Sequence, residues 1–124
     1  MLNAQIKNLA IVFVVTDLAR SHRFYSKTLG LAFEVEDFEG GYLQARPLGD
    51  VELVFLRGDV PPGATPQVVF GLARGGIDAM VAALAAAGVE IVTAVTEAPG
   101  GWSAEFKDPD GHTLSLYQDG ALPR

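Results

Sequence analysis

The chain is 124 residues long, 49% hydrophobic and 19% charged, the size and composition of one domain with a core of its own. Its formal net charge of −6, from 9 basic and 15 acidic residues, leaves no basic cluster to neutralise phosphates and argues against nucleic acid as a partner. The absence of cysteine excludes a disulfide framework, a thiolate nucleophile and a thiolate metal site.

The first apolar run, Leu9–Val15, is far short of the ~20 residues that span a bilayer, and it reads within a β-strand over Asn8–Thr16. No membrane partner is expected. The N-terminus lacks a secretory pattern, so a cytoplasmic location is expected. Asp17 has the chemistry of a helix N-cap. Leu18, His22, Tyr25 and Leu29 follow at helical spacing, and Gly30 stands where a left-handed residue ends a helix. Phe24 and Tyr25 are adjacent, so only one of them can point fully into the core. Leu31–Glu36 alternates like a strand, with Phe33 and Val35 assigned to one face. Gly40-Gly41 marks a turn, and Tyr42–Arg46 and Val51–Leu56 read as strands. Arg57–Pro66 is rich in proline and glycine and reads as a connector.

The same grammar then recurs. Gln67–Leu72 is a strand, and Ile77, Met80, Val81 and Leu84 form the apolar stripe of a helix that ends at Gly88. Val89–Val95 is a strand, Glu97–Gly101 a loop, Trp102–Lys107 a strand, Asp108–Gly111 a turn, and Thr113–Gln118 the last strand. The expectation is therefore an α+β fold of two βαβββ modules, forming a curved mixed sheet around a cleft. Residues 1–124 form a single domain in this reading, with module 1 at about 5–57, a connector at 58–66 and module 2 at about 67–119.

Thr16-Asp17-Leu18-Ala19-Arg20-Ser21, Phe24-Tyr25 and Leu29-Gly30-Leu31 resemble the first module of the vicinal-oxygen-chelate superfamily. Phe106-Lys107-Asp108-Pro109-Asp110-Gly111-His112 is similar to the turn that closes its second module. That superfamily includes glyoxalase I, the extradiol dioxygenases and the fosfomycin- and bleomycin-resistance proteins. In its metal-dependent members, two side chains from each module hold a divalent ion. The resemblance carries those positions to Ala10, Glu52, Val69 and Ser115. Only Glu52 is a strong donor there, since methyl and isopropyl groups cannot ligate and a hydroxyl ligates poorly. His22 and His112 fall away from these positions. The expectation is no metal and no cofactor.

Period-2 alternation from those four positions predicts an inward face of Ala10, Val12, Val14, Glu52, Val54, Val69, Gly71, Ser115 and Tyr117. Such a lining is apolar with a few placed polar groups, as in a ligand pocket. Glu52 needs a partner there, such as a cationic ligand, Arg46 or Arg74, or access to solvent. Trp102 is expected at the cleft mouth, stacking on a planar or cationic ligand or serving as a lid or interface aromatic. Phe106 joins it among the ligand-binding candidates, and Tyr42 and Phe55 are placed on either surface.

Three functions remain open at this point. One is a metal-independent protein that binds a small amphipathic or aromatic molecule, as in drug sequestration. The second is an isomerase or lyase using Glu52 as catalytic general base, aided by Tyr117 or Ser115. The third is a metal-dependent lyase or dioxygenase with atypical ligands. The resemblance also implies a homodimer.

Overall fold

The computed structural model describes residues 5–61 and 63–124, and within them the chain is α+β, with eight strands and two α-helices. In chain order these are β1 (Ile6–Val15), α1 (Leu18–Arg23), β2 (Phe33–Asp37), β3 (Tyr42–Leu48) and β4 (Val51–Arg57). The second set is β5 (Gln67–Leu72), α2 (Ile77–Ala86), β6 (Ile91–Ala98), β7 (Gly101–Lys107) and β8 (Thr113–Asp119). The chain divides into two compact units, residues 10–67 and residues 1–9 with 68–124. The division cuts β1, so the first residues of that strand belong with the later module.

In the unit of residues 10–67 the strands run in the order β2-β3-β4-β1. Asp17 caps α1, accepting the Arg20 N–H at Oδ1 over 3.0 Å. The helix does not run unbroken to Leu29. It passes into a π-helical turn over Phe24–Thr28, in which Leu29 N donates to Phe24 O five residues back. The Ser26 hydroxyl donates to His22 O at 2.6 Å and competes for a carbonyl of the regular ladder. Tyr25 packs on the core of Leu18, Leu43 and Phe55, while Phe24 is left 47% exposed. Phe13 stacks on Phe55 with centroids 5.2 Å apart. The alternation expected for β2 fails, because the β2–β3 register shifts between Phe33 and Val35. Phe33 therefore reaches the core and Val35 is exposed.

In the other unit the order is β1-β5-β8-β7-β6, with β5 and β8 parallel. Ile77, Met80, Val81 and Leu84 of α2 pack with Leu72, Ala104, Phe106 and Leu116, as the helical stripe required. Gly88, at φ 86°, ends α2. Its N–H bonds to Ala85 O and that of Val89 to Leu84 O, the paired closure of a Schellman end. Val89 is thereby tied to the helix and β6 starts two residues later than the sequence implied. The loop expected over Glu97–Gly101 contracts to Pro99-Gly100, because Glu97 pairs with Trp102 and Ala98 with Gly101.

Gly76 offers no side-chain cap to α2, and distant groups do that work. Pro123 O accepts from Gly76 N at 2.8 Å and Arg124 O from Asp78 N at 3.1 Å. The fully buried Gln118 accepts from Ile77 N at 2.9 Å and donates to Leu122 O at 3.0 Å and Pro123 O at 3.3 Å.

Candidate functional site

Each unit has one sheet face against its helix and one turned away from it. In residues 10–67, Leu43, Ala45, Leu53 and Phe55 alternate towards the helix side. Phe55 is fully buried in that core and is no part of a ligand surface. Ala10, Val12, Val14, Glu52 and Val54 take the other face, with Tyr42, Gln44 and Arg46 of β3 beside them through the Gln44–Val54 pairing. Glu52 meets Arg46, whose Nη2 donates to Glu52 Oε1 at 3.1 Å while Nε donates to Glu34 Oε1 at 3.1 Å. Partial desolvation disfavours the guanidinium charge, but Glu52 and then Glu34 outweigh it and hold Arg46 above its ordinary value. Tyr42 donates to Gln44 Oε1 at 2.7 Å. Of the partners the sequence offered Glu52, Arg46 is one the structure supplies.

In the other unit, Phe70, Leu72, Leu114 and Leu116 point to α2, so Val69, Gly71, Ser115 and Tyr117 share the opposite face. Val69 lies opposite Ser115 and Gly71 opposite Tyr117 in the parallel ladder. A Cβ on Gly71 would collide with Asn8 Oδ1, which puts the Asn8 side chain across this glycine on the same face. Ser103 pairs with Tyr117 and Glu105 with Ser115, which adds both to the face. Thr93, opposite Glu105, donates its hydroxyl to Glu105 Oε1 at 2.5 Å. Tyr117 donates to Pro99 O at 2.8 Å.

Trp102 and Phe106 are corrections. Both pack into the α2-side core with Ala104, on the opposite face from Ser115 and Tyr117. The Arg124 guanidinium lies 4.0 Å from the Trp102 ring centroid and pairs with Asp78 at 3.1 Å, so that indole already has a cation over it. In β7 the apolar residues Trp102, Ala104 and Phe106 are the helix face and the polar residues Ser103 and Glu105 the face turned away from it, where Ser115 is buried. That alternation was the signal that would have found Glu105. Thr93 had no comparable signal, because register shifts on both sides of it in the β6–β7 pairing break the periodicity.

The two histidines stand apart from these faces. His22 lies between Phe33 and Phe38, with ring centroids 4.7 and 5.4 Å away. Its Nε2 is buried without a hydrogen bond, 3.5 Å from the Glu36 carboxylate. His112 closes the Asp108 turn, with its N–H and Nδ1 each 2.8 Å from the Asp108 carboxylate. The His112 backbone N–H is the main influence holding the Asp108 carboxyl below its usual range.

Two modules that each run strand, helix and three strands define a chain of the vicinal-oxygen-chelate type. A family model described as Glyoxalase/Bleomycin resistance protein/Dioxygenase superfamily matches residues 8–116, and the chain belongs to that family. No curated protein matches it. Among solved structures, one described as an NAD-dependent benzaldehyde dehydrogenase from Legionella pneumophila is similar at 18% identity and TM-score 0.73, over 90% of this chain and 98% of that one. A glyoxalase/bleomycin resistance protein/dioxygenase superfamily member from Vibrio splendidus 12B01 matches at 18% identity and TM-score 0.62, over 90% and 97%. Methylmalonyl-CoA epimerase from Mycobacterium tuberculosis matches at 16% and TM-score 0.59, over 93% and 87%. These likenesses are of fold.

The metal implied by the family does not fit the residues present. The implied positions offer a methyl group at Ala10, an isopropyl group at Val69, a hydroxyl at Ser115, and at Glu52 a carboxylate already bonded to Arg46. Among the described residues no three His, Asp or Glu side chains gather as a metal would require. None of the described helices is long and apolar enough to cross a membrane.

Proposed function

We propose that this protein binds a small amphipathic or aromatic molecule, without a metal, on sheet faces turned away from the helices, and that drug sequestration is the purpose of such binding. The observation that carries the reading is the face of Val69, Gly71, Ser103, Ser115 and Tyr117, where hydroxyls are set at fixed register among small apolar groups. Glu52 as general base is the competing reading, and it requires Arg46 to give way. The fold itself does not choose, since similar scaffolds carry different chemistries.

The test is an amide chemical-shift screen of the full chain against planar amphipathic compounds. Perturbations confined to β5, β7 and β8 support the reading, and no hit across a broad library overturns it. Trp102 fluorescence is a poor reporter, because the indole lies on the other face under Arg124. Titration with Ni²⁺, Zn²⁺, Mn²⁺ and Fe²⁺ tests the metal-free part: stoichiometric binding lost in Glu52→Ala would overturn it. Turnover of a bound ligand lost in Glu52→Gln would favour the isomerase or lyase. A cytoplasmic homodimer belongs to the same proposal, supported by the exposed Phe24 and Leu29. Sedimentation showing only monomer at micromolar concentration would remove the dimer.

A further inference from the structure

The unit of residues 10–67 exposes two patches of opposite charge, each with apolar side chains left in water. On α1 and the π-helical turn that follows it, Arg20, Arg23, Phe24 and Lys27 stand three or four residues apart and share one side. All four are exposed, Phe24 to 47%, and Leu29 at the end of the turn is 52% exposed. The other patch is the turn from β2 to β3, where the exposed Phe38 stands among Glu36, Asp37 and Glu39. His22 of α1 packs its ring on Phe38, with Nε2 3.5 Å from the Glu36 carboxylate. The helix and the β2–β3 turn therefore lie side by side.

Neither patch is neutralised from within. Among the described residues, Arg20, Arg23 and Lys27 form no ion pair with a carboxylate, and Asp37 and Glu39 form none with Lys or Arg. The nearby Arg57 guanidinium donates instead to the carbonyl oxygens of Phe38 and Glu39, at 2.8 and 3.1 Å. Like charges three or four residues apart oppose the helix that carries them, so the basic cluster is kept against a local cost. A second copy of the chain supplies the complement of both patches. Around a two-fold axis the basic patch of each copy meets the acidic patch of the other, and Phe24 and Leu29 gain Phe38 as an apolar partner. The net charge of −6 repels the copies at long range, but physiological salt screens charges more than about 8 Å apart and leaves the local match to decide. We propose that α1 with its π-helical turn and the β2–β3 turn together form a homodimer surface, the basic helix of one copy against the acidic turn of the other. This rests on the reading that the chain forms a homodimer, and it names the surface that makes it.

The experiment is sedimentation of the full chain and of two charge-reversed variants, alone and mixed. One variant combines Arg23→Glu with Lys27→Glu, the other Glu36→Lys with Glu39→Lys. All four side chains are exposed, and melting temperatures check that the variants fold. Each variant alone should dimerise at least about tenfold more weakly than the parent, because like charges then face each other at both contacts. An equimolar mixture should recover the dimer, since each reversed patch meets an opposite charge on the other variant. Phe24→Ser, at an exposed position, should weaken the dimer about tenfold without lowering the melting temperature of the monomer, and it keeps the test open if a reversed variant fails to fold. If the parent dimerises and the variants match it, or their mixture recovers nothing, the surface assignment falls and the homodimer reading stands. If the parent is monomeric at micromolar concentration, both fall. A monomeric parent that sediments with phosphatidylserine vesicles, and loses this with Arg23→Glu and Lys27→Glu, would give the basic patch to an anionic membrane and overturn the proposal.

Discussion

Replacing Gln118 tests whether the start of α2 is held by groups far along the chain. Gln118 is 0% exposed, and its amide both accepts from Ile77 N and donates to Leu122 and Pro123 carbonyls. In Gln118→Met the volume is nearly kept but the Ile77 N–H is buried without a partner, which costs about 1–3 kcal/mol. The Leu122 carbonyl also loses its donor, adding about 0.5–1.5 kcal/mol, whereas Pro123 O retains the Gly76 N–H. A total of about 1.5–4.5 kcal/mol follows. With an unfolding entropy near 2.1 cal/mol/K per residue over 124 residues, this lowers Tm by about 6–17 °C. Urea denaturation followed by far-UV ellipticity gives the free energy, and calorimetry gives the Tm. Gln118→Glu keeps the acceptor for Ile77 but sets an oxygen against the Leu122 and Pro123 carbonyls, so it too should destabilise the protein. A Gln118→Met protein within about 0.5 kcal/mol of the parent would refute the capping argument.

Other substitutions probe the rest of the molecule. Gly71→Ala should destabilise by about 1–3 kcal/mol, because the new methyl meets Asn8 Oδ1, and Asn8→Ala in the same chain should recover much of that loss; equilibrium unfolding decides it. Leu43→Ala, at a fully buried position, should cost about 2–5 kcal/mol, while Leu48→Ala, 72% exposed, should change stability by less than about 0.5 kcal/mol. Equal denaturation midpoints for the two would contradict the assigned core. The Asp108 carboxyl is held below its ordinary value chiefly by the His112 backbone N–H. Its stabilising contribution is therefore present above the unfolded value, about 3.9, and is lost as pH falls through the lower folded value. Urea midpoints measured across acid pH should fall more steeply for the parent than for Asp108→Asn; parallel acid limbs would refute this.

The duplicated order of elements was legible because each helix carries its own stop. Gly30 and Gly88 both lie at positive φ, and the apolar stripe of α2 faces a core as its spacing implied, whereas Leu18 and Tyr25 of the first stripe reach a core and Leu29 is exposed. The Glu52–Arg46 pair was among the alternatives open from the residues alone, since a carboxylate on that face demands a cation. What the residues hid was register. One bulge between Phe33 and Val35 sends side chains two apart in sequence to opposite faces. In β7 the large aromatics drew the eye to the wrong face. Trp102 and Phe106 were matched to a ligand by type, although strict alternation with Ser103 and Glu105 placed them against α2. The cation over Trp102 comes from Arg124, and no local pattern predicts that meeting.

The capping of α2 also bears on when this helix can become stable as the chain is made. Its ten residues are too few to hold a helix alone in water, and the amide that receives the Ile77 N–H lies 41 positions downstream. While a ribosome is still making β6 and β7, the α2 segment has neither this acceptor nor the Pro123 and Arg124 carbonyls. Its lasting helicity must await residues 118–124, so the later unit locks after synthesis has passed its final strand rather than element by element.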